Sequence, residues 1–242
     1  MLVYQAFTVE AANAGLAPAS DRSLTARERP GSQSQIEARA SRVLVRTLDI
    51  LTASLALVFF LPLMAGIAVA ILVTGGGPVL FVQSRVGRSG VAFNCFKFRT
   101  MRDDADILLA ALLNSDPLAN AEWARVHKLR NDPRVGKLGA ILRKTSLDEL
   151  PQLFNVLIGD MSMVGPRPVV AKEAQRYGRY FADYCAVRPG ITGLWQISGR
   201  NDTTYRRRVA CDVVYSRSKS AANDLMIMVK TVPVVLLGRG AY

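Results

Sequence analysis

Asp148 and Glu149 stand side by side just ahead of Pro151, in the stretch TSLDELPQLFNVLIGDMSMVGPRP that runs from Thr145 to Pro168. Two readings fit the pair. In the first, Ser146 to Glu149 is an S-x-x-E capping box, with its carboxylates at the positive end of a helix. Pro151 is tolerated in the first turn of such a helix. In the second, a carboxylate kept ionised and aimed in one direction attacks phosphorus and forms an acyl phosphate. Its neighbour then holds Mg2+, an ion that commonly rests on one or two carboxylates plus substrate phosphates. Cations surround the pair in the sequence. Arg143 and Lys144 lie just upstream, Arg167 sits in Gly165-Pro166-Arg167-Pro168 downstream, and Lys97 and Arg99 belong to KFRTM. Guanidinium forks match phosphate oxygens, and a lysine adds a point charge. Each cation also has an ordinary explanation, as the basic end of the helix KLGAILRK or the solvated face of a strand. Taken together they suggest a phosphate-handling site.

An apolar segment must sit near that site. No charged residue occurs from Ile50 to Gln83, and ILTASLALVFFLPLMAGIAVAILV within that run is almost wholly apolar. At ~1.5 Å per residue the run is long enough for a bilayer core of ~30 Å. Arg39, Arg42 and Arg46 precede it, while Arg85 and Arg88 follow it. Basic residues on both flanks leave the orientation of a simple spanning helix undecided. Pro62 lies mid-run, lacks an amide donor and crowds the carbonyl four residues back, so a kink or break is expected there. A spanning helix and a re-entrant hairpin both fit. The hairpin must find partners for the backbone groups freed at the break.

The remaining pattern predicts short strands at VLFVQ and FNCFKFRTM, with Lys97 and Arg99 on one side and Phe96 and Phe98 on the other. A helical region is expected over 103–130, a turn at NDPRVG, and helices over 137–144, 152–159 and 169–184. RPGITGLWQISGR reads as a turn-rich strand region, and a basic helix follows around 204–219. LMIMVKTVPVVLL, interrupted by Lys230 and Pro233, reads as a surface-lying or core helix. Residues 1–38 lack a sustained apolar period and read as a flexible tail. The net charge of +12 favours anionic membranes or phosphorylated molecules. Three scattered cysteines and the single His127 argue against a zinc site or a histidine-based triad.

The apolar segment with Pro62, GPVLFVQSRVG (77–87), FKFRTM (96–101), residues 131–168 and RPGITGLWQISGR (188–200) together resemble the monotopic polyprenol-phosphate phosphoglycosyl transferases, a family of bacterial sugar transferases. The likeness covers roughly residues 42–242. It implies a mainly α fold with small β elements: a membrane-embedded re-entrant helix broken at Pro62 (39–76), then a compact catalytic domain (77–242) with surface-lying amphipathic helices. That domain would face the cytoplasm at the inner membrane. By the same likeness, Asp148 is the nucleophile on the β-phosphate of a UDP-sugar, galactose or glucose being the expected sugar. UMP is released, and undecaprenyl phosphate takes the sugar phosphate in the first membrane step of exopolysaccharide synthesis. Glu149 binds magnesium, Lys97, Arg99, Arg143 and Arg167 contact phosphates, and Gly165 to Pro168 help hold the uridine. Asp212 is carried over as a metal or nucleotide neighbour. Family members often have Ser before the breaking proline, where this chain has Leu61, which cannot satisfy freed carbonyls.

Three rival readings remain, one of them a non-enzymatic, membrane-anchored assembly factor. Asp104-Ala-Asp106 matches the DxD metal motif of ordinary glycosyltransferases, which release UDP. Arg206-Arg207-Arg208 with the charge of +12 suggests nucleic acid, but no nucleic-acid module or stacking pattern accompanies it; anionic headgroups suit the run better. The oligomeric state is left open.

Overall fold

A computed structural model describes residues 32–75, 77–102, 104–126, 129, 132–199 and 203–236. Residues 1–31 of the predicted tail, and His127, lie outside the described residues. Ala40–Tyr242 forms one compact unit, and the contacts below lie within it.

The apolar run forms a helix, α1 (Ser32–Gly75), assigned as continuous across Pro62. It therefore starts earlier than residue 39, and the helix break expected at Pro62 is not present as an interruption. One stripe of α1 packs on the rest of the unit on both sides of the proline. Ala53 and Leu57 meet Cys95, Leu153 and Val156, while Met64, Ile67 and Ile71 meet Phe98 and Leu142. Leu55, Val58, Phe59, Val69 and Val73 on the same helix are exposed. By length and composition Arg39–Gly75 could cross a membrane.

The two predicted strands form an antiparallel hairpin, β1 (Leu80–Val86) and β2 (Ala92–Phe98), in the register Leu80↔Phe98 to Val86↔Ala92. The helical region expected over 103–130 is two helices, α2 (Ala105–Ser115) and α3 (Pro117–Val126). Asp116 separates them: its Oδ1 accepts from the amides of Leu118 at 2.8 Å and Ala119 at 3.2 Å, ahead of Pro117. Next come α4 (Lys137–Thr145) and α5 (Gln152–Ile158), followed by β3 (Ser162–Val164). The helix expected over 169–184 is also divided, into α6 (Ala171–Ala174), a 3-10 segment and α7 (Phe181–Ala186). Gly178, with φ at 51°, breaks the run.

RPGITGLWQISGR gives a strand, β4 (Gly190–Thr192), and a short helix, α8 (Leu194–Ile197). Strand β4 pairs in parallel with β3 through Ser162↔Gly190 and Val164↔Thr192. Gly190 is required at this crossing, because a Cβ there would overlap the backbone of Val164 and Gly165. The predicted basic helix is α9 (Tyr205–Ser218), with Thr204 accepting from the Arg207 amide as its cap. The last apolar stretch is α10 (Ala221–Leu236), which buries Ile227 and exposes Leu225, Val229 and Val232.

Candidate active site

The carboxylate pair is not in a capping box. Ser146 adopts a left-handed conformation, φ 59°, closing α4 rather than capping α5, and its side chain makes no cap hydrogen bond. Asp148 and Glu149 occupy a separate 3-10 turn, Leu147–Glu149, and α5 begins only at Gln152. The tight reversal at Ser146 brings the pair back beneath the end of α4 and up to the hairpin. A left-handed serine is uncommon, and such positions cluster at functional sites.

Glu149 meets cations from two other elements. Lys97 Nζ on β2 lies 2.6 Å from Glu149 Oε1, and Arg167 Nη1, after β3, lies 3.4 Å from the same oxygen. Asp148 is almost wholly buried. Burial, and next the charge of Glu149, push its carboxyl up to about 6, while Lys97, Arg167 and Arg143 pull it down. Arg143, from the last turn of α4, donates through Nε to Thr100 Oγ1 at 2.9 Å. The positive field of Glu149's partners and the negative field of the pair thus meet at one spot. The Arg167 guanidinium is raised chiefly by Glu149.

A small cleft opens beside Glu149, lined by residues that include Arg85, Lys97, Gln152, Arg167, Pro168 and Gly190. Asp148 does not line it. Cys95 does, but burial pushes its thiol up, which removes thiolate chemistry from the cleft.

Of the predicted site residues, Asp148, Glu149, Lys97, Arg143 and Arg167 are brought together. Pro168 reaches the cleft wall, and Gly165 and Pro166 hold the turn: the Gly165 amide donates to Thr192 O at 2.8 Å, and Pro166 O accepts from the Gly190 amide at 2.8 Å. Arg99 is not brought into the cleft. It follows the end of β2, its Nε donates to Met101 O at 3.1 Å, and its guanidinium packs against Gly77. Asp212 is not a neighbour of the pair either. It is buried on α9, where Tyr177 Oη donates to its Oδ2 at 2.8 Å. Burial pushes Asp212 up to about 7, with Tyr177 and Arg208 pulling it down. In the DxD motif, Asp104 pairs with Arg102 at the surface at 2.9 Å, and neither aspartate lines the cleft.

Among the described residues no group of three or more His, Cys, Asp or Glu could hold a metal ion. The donors available at the cleft are Glu149 with Asp148 beside it. That set suits Mg2+, which takes its remaining ligands from phosphate and water. Glu149 Oε1 is engaged by Lys97 and Arg167.

Sequence reasoning treated Arg85 only as a flank of the apolar run. It lines the cleft and donates through Nη1 to Pro168 O at 3.0 Å. Arg208 was read as one of a basic run. It lies 4.1 Å from the Trp195 ring centroid, and Arg167 lies 5.9 Å from the same ring. The positioning role of Asn155 was also missed. This fully buried residue of α5 accepts from the Phe96 amide at 3.0 Å and donates to Asn94 O at 2.7 Å, so it fixes β2 on the helix that follows Glu149. Its signal is a polar residue on the inward face of QLFNVLIG, one turn after the buried Gln152. Asn155→Ala removes the partners of two part-buried strand groups, at about 1 kcal/mol each, and leaves a cavity in the core. The expected result is a clearly lower midpoint of thermal unfolding in detergent, with Lys97 no longer held against Glu149.

A family model described as bacterial sugar transferase matches residues 40–238. The chain is 49% identical over 197 residues to the exopolysaccharide production protein ExoY of Rhizobium meliloti, covering 81% of this chain and 87% of ExoY. It is 48% identical over 210 residues to the undecaprenyl-phosphate galactose phosphotransferase of Salmonella typhimurium, covering 87% of this chain but only 44% of that protein. It is 40% identical over 205 residues to the UDP-glucose:undecaprenyl-phosphate glucose-1-phosphate transferase of Caulobacter vibrioides, covering 81% and 71%. The chain thus spans most of ExoY and under half of the Salmonella relative.

Proposed function

Because the chain belongs to the bacterial sugar transferase family, we propose that it moves a sugar 1-phosphate from a UDP-sugar to undecaprenyl phosphate, at the start of exopolysaccharide synthesis. The observation that carries this reading is Asp148, buried beside Glu149 and acted on by Lys97, Arg143 and Arg167. An Asp148 oxygen attacks the β-phosphorus of the donor as the bond from that phosphorus to the oxygen bridging to the α-phosphate breaks. UMP leaves with the bridging oxygen. An oxygen of the lipid phosphate then attacks the same phosphorus, and Asp148 is released as a free carboxylate. Arg167 and Lys97 meet the charge that spreads over the transferring phosphoryl group. Lys97, Arg167 and Arg143 favour the ionised form of Asp148 against its burial. The cleft lined by Arg85 and the Gly165–Pro168 turn takes the nucleotide phosphates. Mg2+ on Glu149, when bound, supplies further neutralisation of the phosphate charge.

The two substrates differ in solubility, and the covalent route lets each visit the site in turn. The packing of α1, which is continuous through Pro62, supports a helix seated in one leaflet rather than one that spans the bilayer. Core residues run from Val45 to Ile71, about 40 Å of helix at ~1.5 Å per residue. That exceeds the ~30 Å of a bilayer core, so no spanning length of α1 is free of the catalytic domain. Its exposed apolar stripe, with Phe154 and Ile158 of α5, is suited to enter one leaflet from the cytoplasmic face of the inner membrane.

The test is the nucleotide released when the purified protein meets undecaprenyl phosphate, magnesium and a panel of UDP-sugars that includes galactose and glucose. UMP is expected, and the sugar that yields it is the donor. Release of UDP would mean that the sugar–phosphate bond breaks instead, and the Asp148 mechanism would be lost.

A further inference from the structure

The last charged residues before the apolar run, Arg46 and Asp49, lie one turn apart on the same face of α1. Neither points to solvent alone. Asp49 is buried and accepts from Ser162 Oγ at 2.8 Å and from the Met163 amide at 2.8 Å. Both donors belong to β3, the strand that runs into the Gly165–Pro168 turn and Arg167. Arg46 donates through Nη1 to Val156 O at 2.8 Å and through Nη2 to Leu157 O at 3.0 Å. Those carbonyls are in the last turn of α5, the helix that follows Glu149. A guanidinium there joins the Gly159 amide on Val156 O and gives Leu157 O a donor at the end of the helix.

One face of the membrane helix therefore grips both segments that bring Glu149 and Arg167 together. A buried carboxylate is costly unless fully hydrogen-bonded, so its place at the edge of the uncharged run of α1 calls for a function. The surrounding charges are Arg188, Lys219 and Asp224. Asp49 acts on Arg188 and Lys219 as an attractive charge and on Asp224 as a repulsive one. Arg188 itself donates to Gly159 O at 2.8 Å, at the residue that closes α5.

We propose that Arg46 and Asp49 are positioning residues, through which the membrane helix sets the separation between the Glu149 turn and the Arg167 turn. Rate in the reaction proposed above then depends on how α1 is seated, because a displacement of ~1 Å at the reacting groups can cost about 100-fold. The inference rests on that reading for its kinetic consequence but not for its structural one.

The test uses the full chain in lipid nanodiscs, with Asp49→Leu, Asp49→Asn, Arg46→Met and the wild type. Leucine keeps the bulk without acceptors; asparagine keeps an acceptor for the Met163 amide and a donor for Ser162 Oγ. Asp49→Leu is expected to lower kcat for UMP release about 10-fold or more, with KM for the UDP-sugar within about threefold. Asp49→Asn is expected to recover most of that rate. Hydrogen exchange followed by mass spectrometry should quicken over residues 161–168 in Asp49→Leu and over 152–159 in Arg46→Met, with α9 unchanged. Wild-type kcat and wild-type protection of 161–168 in Asp49→Leu would overturn the proposal. So would faster exchange throughout the protein, with activity falling only as the folded fraction falls. A wild type that releases no UMP would defeat the proposed function, while the exchange pattern would still decide the clamp.

Discussion

Asp148→Asn is expected to abolish UMP release and at the same time to make the protein more stable at pH 8. The first effect follows from the loss of the nucleophile: an amide cannot form the acyl phosphate, and a fall of about a thousandfold or more is expected. The second follows from the environment of Asp148. Its carboxyl is pushed up to about 6 from an ordinary 3.8, by burial and then by Glu149. The folded protein thus binds this proton more tightly than the unfolded chain does. The associated stability is fully present below about pH 3.8 and is lost as pH rises through about 6. At pH 8 the wild type carries a buried charge that the asparagine variant lacks, a difference on the order of 1–3 kcal/mol. Melting temperatures at pH 8 and pH 4.5 read it: the advantage of the variant should be present at the first and shrink at the second. The same shift sets the acid side of the rate profile. Attack needs the carboxylate, so kcat/KM of the wild type should fall about tenfold per pH unit below about 6. A variant that keeps a tenth of wild-type UMP release removes Asp148 as the nucleophile.

The second large effect is expected from Glu149→Gln, with kcat/KM lowered on the order of 100-fold or more. Two consequences separate this change from simple damage. Glu149 is the nearest like charge acting on Asp148, so its neutralisation should move the acid side of the remaining activity to lower pH. Glu149 is also the proposed seat of Mg2+, so the concentration of magnesium giving half-maximal rate should rise sharply. An unchanged magnesium requirement, with the acid side still near 6, would leave Glu149 as no more than a partner of Lys97 and Arg167.

Much of this arrangement was legible along the chain. The uncharged run from Ile50 onward, the alternation in FNCFKF and the periodic QLFNVLI each rest on local patterning that survives in the folded protein. The cations around Asp148 were legible because phosphate chemistry asks for residue types, whatever their order. The errors have local causes too. The expected capping box failed because Ser146 turned left-handed, a choice made by the packing of Leu147 and Leu150 against Phe98 and α1 rather than by the S-x-x-E spelling. The helical region over 103–130 is divided at Asp116 and Pro117, a start signal within a helical composition.

The membership of Arg99 and Asp212 in the site could not be judged from spacing. Arg99 follows Lys97 by two residues, yet β2 ends at Phe98 and the chain turns it toward Gly77. Asp212 lies on a helix whose rotation hands its carboxylate to Tyr177. By itself, the sequence determined the residue types of the chemistry and the apolar helix that must accompany it, because composition and periodicity are local properties. Only the tertiary structure decided which charges meet. Lys97, Glu149 and Arg167 come from three separate segments, and their 2.6 and 3.4 Å contacts exist because Asn155 ties the hairpin to α5 and Asp49 ties β3 to α1. Such ties are hydrogen bonds between residues some 60 and 114 positions apart, and no local pattern encodes a bond of that reach.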